Sequence, residues 1–174
     1  MPVFQKDTPI NSGAKAPVQL LVFSLQGEEY ALPLTEIQEI VPTPEITPVP
    51  NMTAAVKGVA NLRGRVVTML DLETHFAISK TTETKPYAIV AEHNGELFGL
   101  LVHSAEEVLR IDGSEQKDTP EVLRSHPSAD ALKGVIVHTS AIKGKEAGQK
   151  TAQTERIILA LDLPKILSHF SSTK

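Results

Sequence analysis

The chain has 174 residues, 41% of them hydrophobic, with 21 acidic against 17 basic side chains for a formal net charge of −4, and it contains no cysteine. A chain of this length buries roughly 70% of the surface its unfolded form exposes, so a core is available without disulfides, and thiolate nucleophiles and cysteine zinc sites are excluded together. Mild acidity argues against a protein that coats nucleic acid, which needs clustered Lys and Arg, and no stretch reaches the ~20 apolar residues of a membrane span.

Residues Met1 to Ala16 mix Lys, Asp, Pro, Asn, Ser and Gly, lack the apolar centre of a signal peptide, and are expected to form a loose tail. Val18 to Leu25 is an apolar run with β-branched and aromatic members. Gln26-Gly27-Glu28-Glu29 turns it into Tyr30 to Pro33, which predicts a first hairpin. Thr35 to Val41 carries apolar residues at Ile37, Ile40 and Val41, a spacing compatible with either one helical turn or a bulged strand. Pro42, Pro44, Pro48 and Pro50 then hold an extended loop, because each fixes φ and pushes the preceding residue out of the helical region. Val59 to Leu62 and Val66 to Leu70 flank Arg63-Gly64 and predict a second hairpin, with Arg63 at the tip and Gly64 supplying the positive φ of a tight reversal. Asp71 follows as the cap of a helical turn, Leu72 to Phe76, and a polar linker runs from Ser79 to Lys85.

The pattern then starts again. Tyr87 to Glu92 and Leu97 to Val102 surround an Asn94-Gly95 turn and predict a third hairpin. Gly27 and Gly95, Tyr30 and Phe98, Leu32 and Leu100, Glu39 and Glu107, and Ile40 and Val108 are each 68 positions apart. Gly58-Val59 is echoed by Gly134-Val135, and Leu70-Asp71-Leu72 by Leu161-Asp162-Leu163, which opens a short helical stretch from Pro164 to Phe170. One unit used twice, built of short strands, points to two small β-barrels or sandwiches facing each other. Each copy alone would have a small core for its surface, so the lobes are expected to share an apolar seam. Where the first copy has its compact Arg63-Gly64 tip, the second has Ile142 to Thr154, rich in Lys, Gly, Gln and Thr, expected to be a mobile loop.

The search for chemistry favours structural roles. The six histidines show no i,i+4 pair and read as solvated side chains, so no metal site is expected. Asp71 and Glu73 could pair as acid and base, but a capping Asp followed by an acid in the first helical turn explains both, and Asp162 holds the same place in the second copy. Gly58, Gly64 and Gly134 belong to backbone turns, since the Gly-x4-Gly-Lys-Ser/Thr spacing of a phosphate loop is absent. No nucleophile elbow occurs, and no cofactor is expected. Arg63, bracketed by Leu62 and Gly64, and Glu39, set between apolar neighbours, read in two ways. Both are solvated turn and edge residues, or they flank a docking groove to which Ile37 adds apolar contact, either as an ion pair or as separate contacts to one partner.

Taken together, Glu29-Tyr30-Ala31-Leu32-Pro33, Ile37-Gln38-Glu39-Ile40-Val41, Ile46-Thr47-Pro48-Val49-Pro50, Gly58-Val59-Ala60-Asn61-Leu62-Arg63-Gly64-Arg65-Val66-Val67 and Leu70-Asp71-Leu72 resemble, in order and spacing, the CheW family of bacterial chemotaxis coupling proteins, from about Gln19 to Phe170. The resemblance implies an all-β fold with short helices: two SH3-like five-stranded barrels around a shared hydrophobic seam. It implies a single domain over residues 17–170, lobes at about 17–85 and 86–170 with strand exchange between them left open, and a tail at 171–174. It further implies a non-enzymatic, cytoplasmic adaptor, recruited to receptor arrays at the inner face of the membrane. Its partners would be a CheA-type histidine kinase, through that kinase's CheW-like regulatory domain, and the cytoplasmic tip of chemoreceptors. No nucleic acid and no membrane insertion are implied. Carried over by position, Ile37, Glu39, Arg63, Leu101 and Val102 would form the receptor-binding groove. Val102-His103 departs from the Val-Asp usual in the family. The readings that compete are a coupler of a pilus or other non-flagellar chemosensory system, and a small-molecule sensor using the seam between the lobes.

Overall fold

The computed structural model describes residues 16–78, 85–142 and 152–171. The strands are β1 (Val18–Leu25), β2 (Glu28–Pro33), β3 (Glu39–Pro42), β4 (Val56–Leu62), β5 (Arg65–Asp71), β6 (Tyr87–His93), β7 (Glu96–Val102), β8 (Ser104–Ile111), β9 (Gln116–Lys117), β10 (Leu132–Ile142) and β11 (Ala152–Leu161). Helix α1 (Leu72–Phe76) follows β5 and helix α2 (Leu163–Ser168) follows β11; a 3₁₀ turn spans Leu34–Glu36. The three predicted hairpins form. Each turns on two residues of positive φ, Gln26-Gly27, Arg63-Gly64 and Asn94-Gly95, the geometry whose twist matches that of the flanking strands. The ambiguous stretch after the first hairpin is both things in turn: the 3₁₀ turn ends at Glu36 and β3 begins at Glu39.

The strands assort in the order β8-β1-β2-β11-β10-β9 in one sheet and β3-β6-β7-β5-β4 in the other. Hairpin β1–β2, from the first half of the chain, thus lies among strands of the second, and hairpin β6–β7 lies among strands of the first. Register repeats the sequence offset in both directions. β3 on β6 sets Glu39 opposite Val90, and β8 on β1 sets Glu107 opposite Val22, each partner shifted by the same 68 positions. The parallel pairings agree, with Met69 beside Gly99 and Ala160 beside Ala31. A pseudo-twofold therefore relates the two sheets.

Both sheets close on themselves. Thr47 bridges to Val59 across one opening, and in the other β8 runs on into β9, which sets Lys117 against Val135. Counting β8 and β9 as one bent strand, each is a five-stranded barrel, the architecture expected above. At both closures the ribbon carries a bulge, beside Gly58 and beside Gly134. A Cβ on Gly58 would lie 2.1 Å from the Thr47 carbonyl oxygen, and one on Gly134 2.5 Å from that of Lys117. Only glycine admits that approach.

Alternation along the exchanged hairpins feeds two cores at once. In β1, Leu20 and Val22 enter one barrel with Ala31, Leu109, Ile136 and Ile158, whereas Leu21, Phe23 and Leu25 face the seam. Val90, Leu97 and Leu101 fill the other barrel, and Ile89, Phe98, Leu100 and Val102 face the seam from its side. The seam is completed by Leu72, Phe76, Leu163 and Ile166 from the two helices. Asp71 and Asp162 cap those helices through the backbone N–H groups of Glu73 and Lys165, and their own N–H groups donate to Ala55 and Ala131 at 2.8 Å each.

Four expectations are changed by the structure. The polar linker expected from Ser79 to Lys85 ends on a buried residue: the Lys85 side chain, 8% exposed, sits 3.1 Å from Asp71 Oδ1 and 3.3 Å from Glu73 Oε2. The loop expected from Ile142 to Thr154 is shorter, because β10 runs to Ile142 and β11 starts at Ala152, paired one to the other; its middle, like residues 79–84 of the linker and 1–15 of the tail, lies outside the described residues. The helix expected from Pro164 to Phe170 runs instead from Leu163 to Ser168. Histidines read as solvated are also engaged. His126 and His138 contact Glu28 and Glu115, and His103 Nε2 lies 2.9 Å from Glu73 Oε1.

Three outcomes follow from these contacts. Gly58→Ala or Gly134→Ala, by forcing the closing strand away, is expected to cost about 1–3 kcal/mol in urea denaturation, whereas Gly27→Ala, where an added Cβ meets nothing, costs only the left-handed penalty of roughly 1 kcal/mol. Lys85→Met takes away the buried cation that Asp71 and Glu73 share, leaving the more exposed Lys57 near Asp71 and His103 and Gln26 beside Glu73, and is expected to cost about 3 kcal/mol. For Asp71, burial alone raises the pKa, but hydrogen bonds from Thr74 and Lys85 and the charges of Lys85 and Lys57 more than offset this and hold it below the ordinary value. Its stabilisation is therefore complete above the unfolded pKa of about 4 and lost as pH falls through the lower native value. Asp71→Asn, which keeps a capping side chain, should flatten that acid limb of the stability curve.

Candidate functional site

The Arg63 backbone stands at φ 52°, a left-handed conformation that costs a side-chain-bearing residue about 1 kcal/mol. The Gly64 N–H donates to Asn61 Oδ1 at 2.8 Å and fixes the tip. So held, the Arg63 guanidinium makes a two-pronged contact with Glu39 at the start of β3, Nη1 to Oε1 at 2.9 Å and Nη2 to Oε2 at 2.8 Å. Of the two relations open at the sequence level, the ion pair is the one present. With Arg63 73% exposed, the pair adds at most ~1 kcal/mol to stability.

Glu92, at the end of β6, repeats the arrangement beside it. It accepts from Gln38 Nε2 at 2.8 Å and lies 3.4 Å from Arg65 Nη2. Glu92 and Gln38 also line a cleft of about 320 Å³ between the 3₁₀ turn and α2, whose apolar walls are Ile37, Leu163, Pro164 and Leu167. The exchange of hairpins creates this cleft, because it brings α2 from the end of the chain against the end of β6. Ile37 is half-buried, resting on the seam core while one side borders the cleft.

Leu101 and Val102 are placed differently from the groove expectation. Leu101 is 6% exposed inside one barrel and Val102 is fully buried in the seam. β7 lies in the middle of its sheet, so its side chains are covered on both faces and neither is offered to a partner. Neither Glu39 nor Arg63 is in the lining of the cleft, and Glu92, Leu163 and Leu167, which line it with Ile37, are not among the site residues the sequence offers. No local pattern marks them, and they converge only through the exchange.

The pseudo-twofold shows why this corner is open. Its equivalent, where β7 passes into β8 beside α1, is occupied by Glu73, Lys85 and His103, with Gln26 Nε2 donating to Glu73 at 3.0 Å. A smaller cavity of about 160 Å³ lies between α1 and α2, with Phe76, Ile166, His75 and His169 in its walls. It falls below the roughly 300–1,000 Å³ of ligand pockets. The His75 pKa is lowered there, chiefly by burial and then by the neighbouring His169. Among the described residues no group of three or more His, Asp and Glu side chains is placed to hold a metal ion, and no helix is long and apolar enough to cross a membrane.

The exposed tip separates stability from recognition. Arg63→Asn forfeits an ion pair worth up to ~1 kcal/mol and relieves a left-handed strain of about the same size, since Asn-Gly is favoured at such turns. Its unfolding free energy is expected to stay within about 0.5 kcal/mol of wild type, so any loss of partner binding measured with it reports on contact at the tip.

A family model for the CheW-like domain matches residues 19–171. Over 127 residues the chain is 30% identical to the chemotaxis protein CheW of Helicobacter pylori, covering 70% of this chain and 77% of that one. Over 158 residues it is 26% identical to the chemotaxis protein CheW of Klebsiella aerogenes, covering 90% and 86%. Among solved structures, the scaffolding protein TtCheW from Thermoanaerobacter tengcongensis superposes with a TM-score of 0.69 at 23% identity, over 93% of this chain and 91% of the other, and so shares the fold. On the match to nearly its whole length, this chain belongs to the CheW-like domain family.

Proposed function

We propose that the protein is a non-enzymatic chemotaxis adaptor that couples chemoreceptors to a CheA-type histidine kinase, and that the cleft beside the Glu39–Arg63 pair is where the receptor docks. The observation that carries the reading is that cleft: an apolar-walled groove of about 320 Å³, rimmed by charges, on a domain of the CheW-like family. Apolar walls supply the anchoring contact, and a charged rim tunes encounter rate and partner choice. The kinase would be held elsewhere on the surface, so that receptor and kinase meet through a rigid body. The exchanged hairpins and the shared seam support that rigidity.

Coupling would then be geometric. A change in the receptor tip, transmitted through a body with little internal freedom, alters the population of active kinase, and kinase state acts back on receptor affinity by the same free energy. Recruitment to the inner face of the membrane would follow from receptor binding. The reading covers couplers of flagellar and of other chemosensory pathways alike.

The test is co-sedimentation of the protein with a CheA-type kinase and a receptor cytoplasmic fragment from the same cell, scored by kinase autophosphorylation. Wild type is expected to raise autophosphorylation in the ternary mixture, and Arg63→Asn to reduce that rise with folding intact. Absence of binding to both partners would remove the adaptor function and leave the fold.

A further inference from the structure

Helix α2 is the shared wall of two hollows. Leu163, Pro164 and Leu167 border the cleft, whereas Lys165, Ile166 and the following His169 border the cavity of about 160 Å³ between the two helices. Side chains three and four positions apart share a helix face, so the pair Leu163 and Leu167 and the pair Ile166 and His169 point to different hollows. The other side of the cavity is supplied by α1, through His75 and Phe76. A displacement of α2 at the cavity therefore moves a wall of the cleft.

Where the two helices meet, the contact is made by rings that titrate. His75, half-buried, packs edge-on against Phe170 at 5.0 Å between centroids and against His169 at 5.7 Å, with Phe76 tilted beside it at 5.3 Å. Two charged groups border the same cavity, Lys165 from α2 and Asp130 from the 3₁₀ turn at Ala129–Ala131. With both rings neutral, that ammonium and that carboxylate balance. A proton on His75 adds a charge where burial has removed water, beside a second histidine and Lys165, and the imidazolium regains its hydration only by turning out of the contact. Burial first and His169 second hold the His75 pKa below its ordinary value. The stability that neutral His75 contributes is thus whole above the unfolded value of about 6.5, and it is lost as pH falls through the lower folded value. Among the described residues no third ligand is placed to hold a metal ion with the pair. The species that the two rings are built to take up is a proton.

Resting on the docking reading above for its consequence, we infer that the His75–His169 contact is a proton-sensitive brace: with the rings neutral it holds α2 against the cleft, and a proton on His75 releases α2 and weakens docking. The adaptor is thereby a point at which acidification inside the cell acts on coupling, separate from whatever the receptor senses. Linkage makes the effect reciprocal, so a docked partner that fixes α2 opposes protonation of His75.

The experiment follows backbone amide and histidine ring resonances of the full chain by NMR from pH about 8 to about 5, the range in which histidines titrate. Wild type is compared with His75→Gln and His75→Lys, each first shown to melt cooperatively. The amides of Leu163 and Leu167 are expected to shift with the midpoint of the His75 ring, and that component to vanish in His75→Gln. Because His93, Glu36 and Glu92 line the cleft directly, the readout is the difference between the two proteins. His75→Lys, charged at neutral pH, should bring both amides to their acid positions at pH about 7.5. In titration calorimetry with a receptor cytoplasmic fragment from the same cell, wild type is expected to lose roughly fivefold or more in affinity between pH about 7.5 and about 5.5 beyond any loss in His75→Gln. Amides of Leu163 and Leu167 that ignore the His75 midpoint, or that shift equally in His75→Gln, would overturn the brace. Amides that move while wild type and His75→Gln lose affinity equally would overturn its link to docking. Failure of the fragment to bind at either pH would instead overturn the docking reading, and the brace would be decided by the amide titration of the chain alone.

Discussion

A barrel of five short strands has a small core for its surface, and the whole architecture answers that constraint by making two hairpins serve two cores each. β1–β2 and β6–β7 send alternate side chains into a barrel and into the seam: Leu20 and Val22 one way, Leu21 and Phe23 the other. Because each hairpin is inserted among strands from the other half of the chain, neither barrel can be completed without the other. The two lobes thus form one cooperative body.

The same exchange makes the surface asymmetric. A pseudo-twofold should give two equivalent corners, yet one is filled by Glu73, Lys85, His103 and Gln26, and the other is left as a cleft between Ile37 and α2. Ions that lock one corner are costly to bury and tolerable only because they are mutually paired and joined to a helix cap. The open corner has the complementary character, with apolar walls bordered by Glu36 and Glu92 and no Lys or Arg among its lining residues. A fold built by duplication thereby presents different surfaces at its two equivalent corners.

Much of this was legible in the residues, and the boundary of legibility has physical reasons. Turn tips, caps and hairpins are local: Arg63-Gly64, Asn94-Gly95, Asp71 and Asp162 each declare themselves within a few positions. The 68-residue offset announced the duplication, and the pairings Glu39 to Val90 and Glu107 to Val22 show that it also encoded the register. It did not say which lobe each hairpin enters, because a hairpin buried on both faces looks the same in either. Leu101 and Val102 entered the expected groove by positional carry-over from the family resemblance, whereas the structure buries both; Leu163 and Leu167, far along the chain, reach the cleft only through the exchange. Lys85 shows a related limit: at the end of a polar linker nothing local marks it as buried, because its carboxylate partners arrive from β5 and α1. The Glu39–Arg63 ion pair and the place of Ile37 beside the cleft were legible because these residues sit at strand ends and a turn tip, where the local pattern and the surface coincide.

The central claim is that the open corner is the docking surface, and backbone amide chemical-shift mapping tests it most directly. With the labelled chain and an unlabelled receptor cytoplasmic fragment, the account places the largest perturbations at Glu36 to Glu39, Arg63 to Arg65, Glu92-His93 and Leu163 to Leu167, with the seam core unchanged. Perturbations confined to the opposite barrel, around Val108, Arg156 and Ile157, with Ile37 and Leu167 undisturbed, would contradict it.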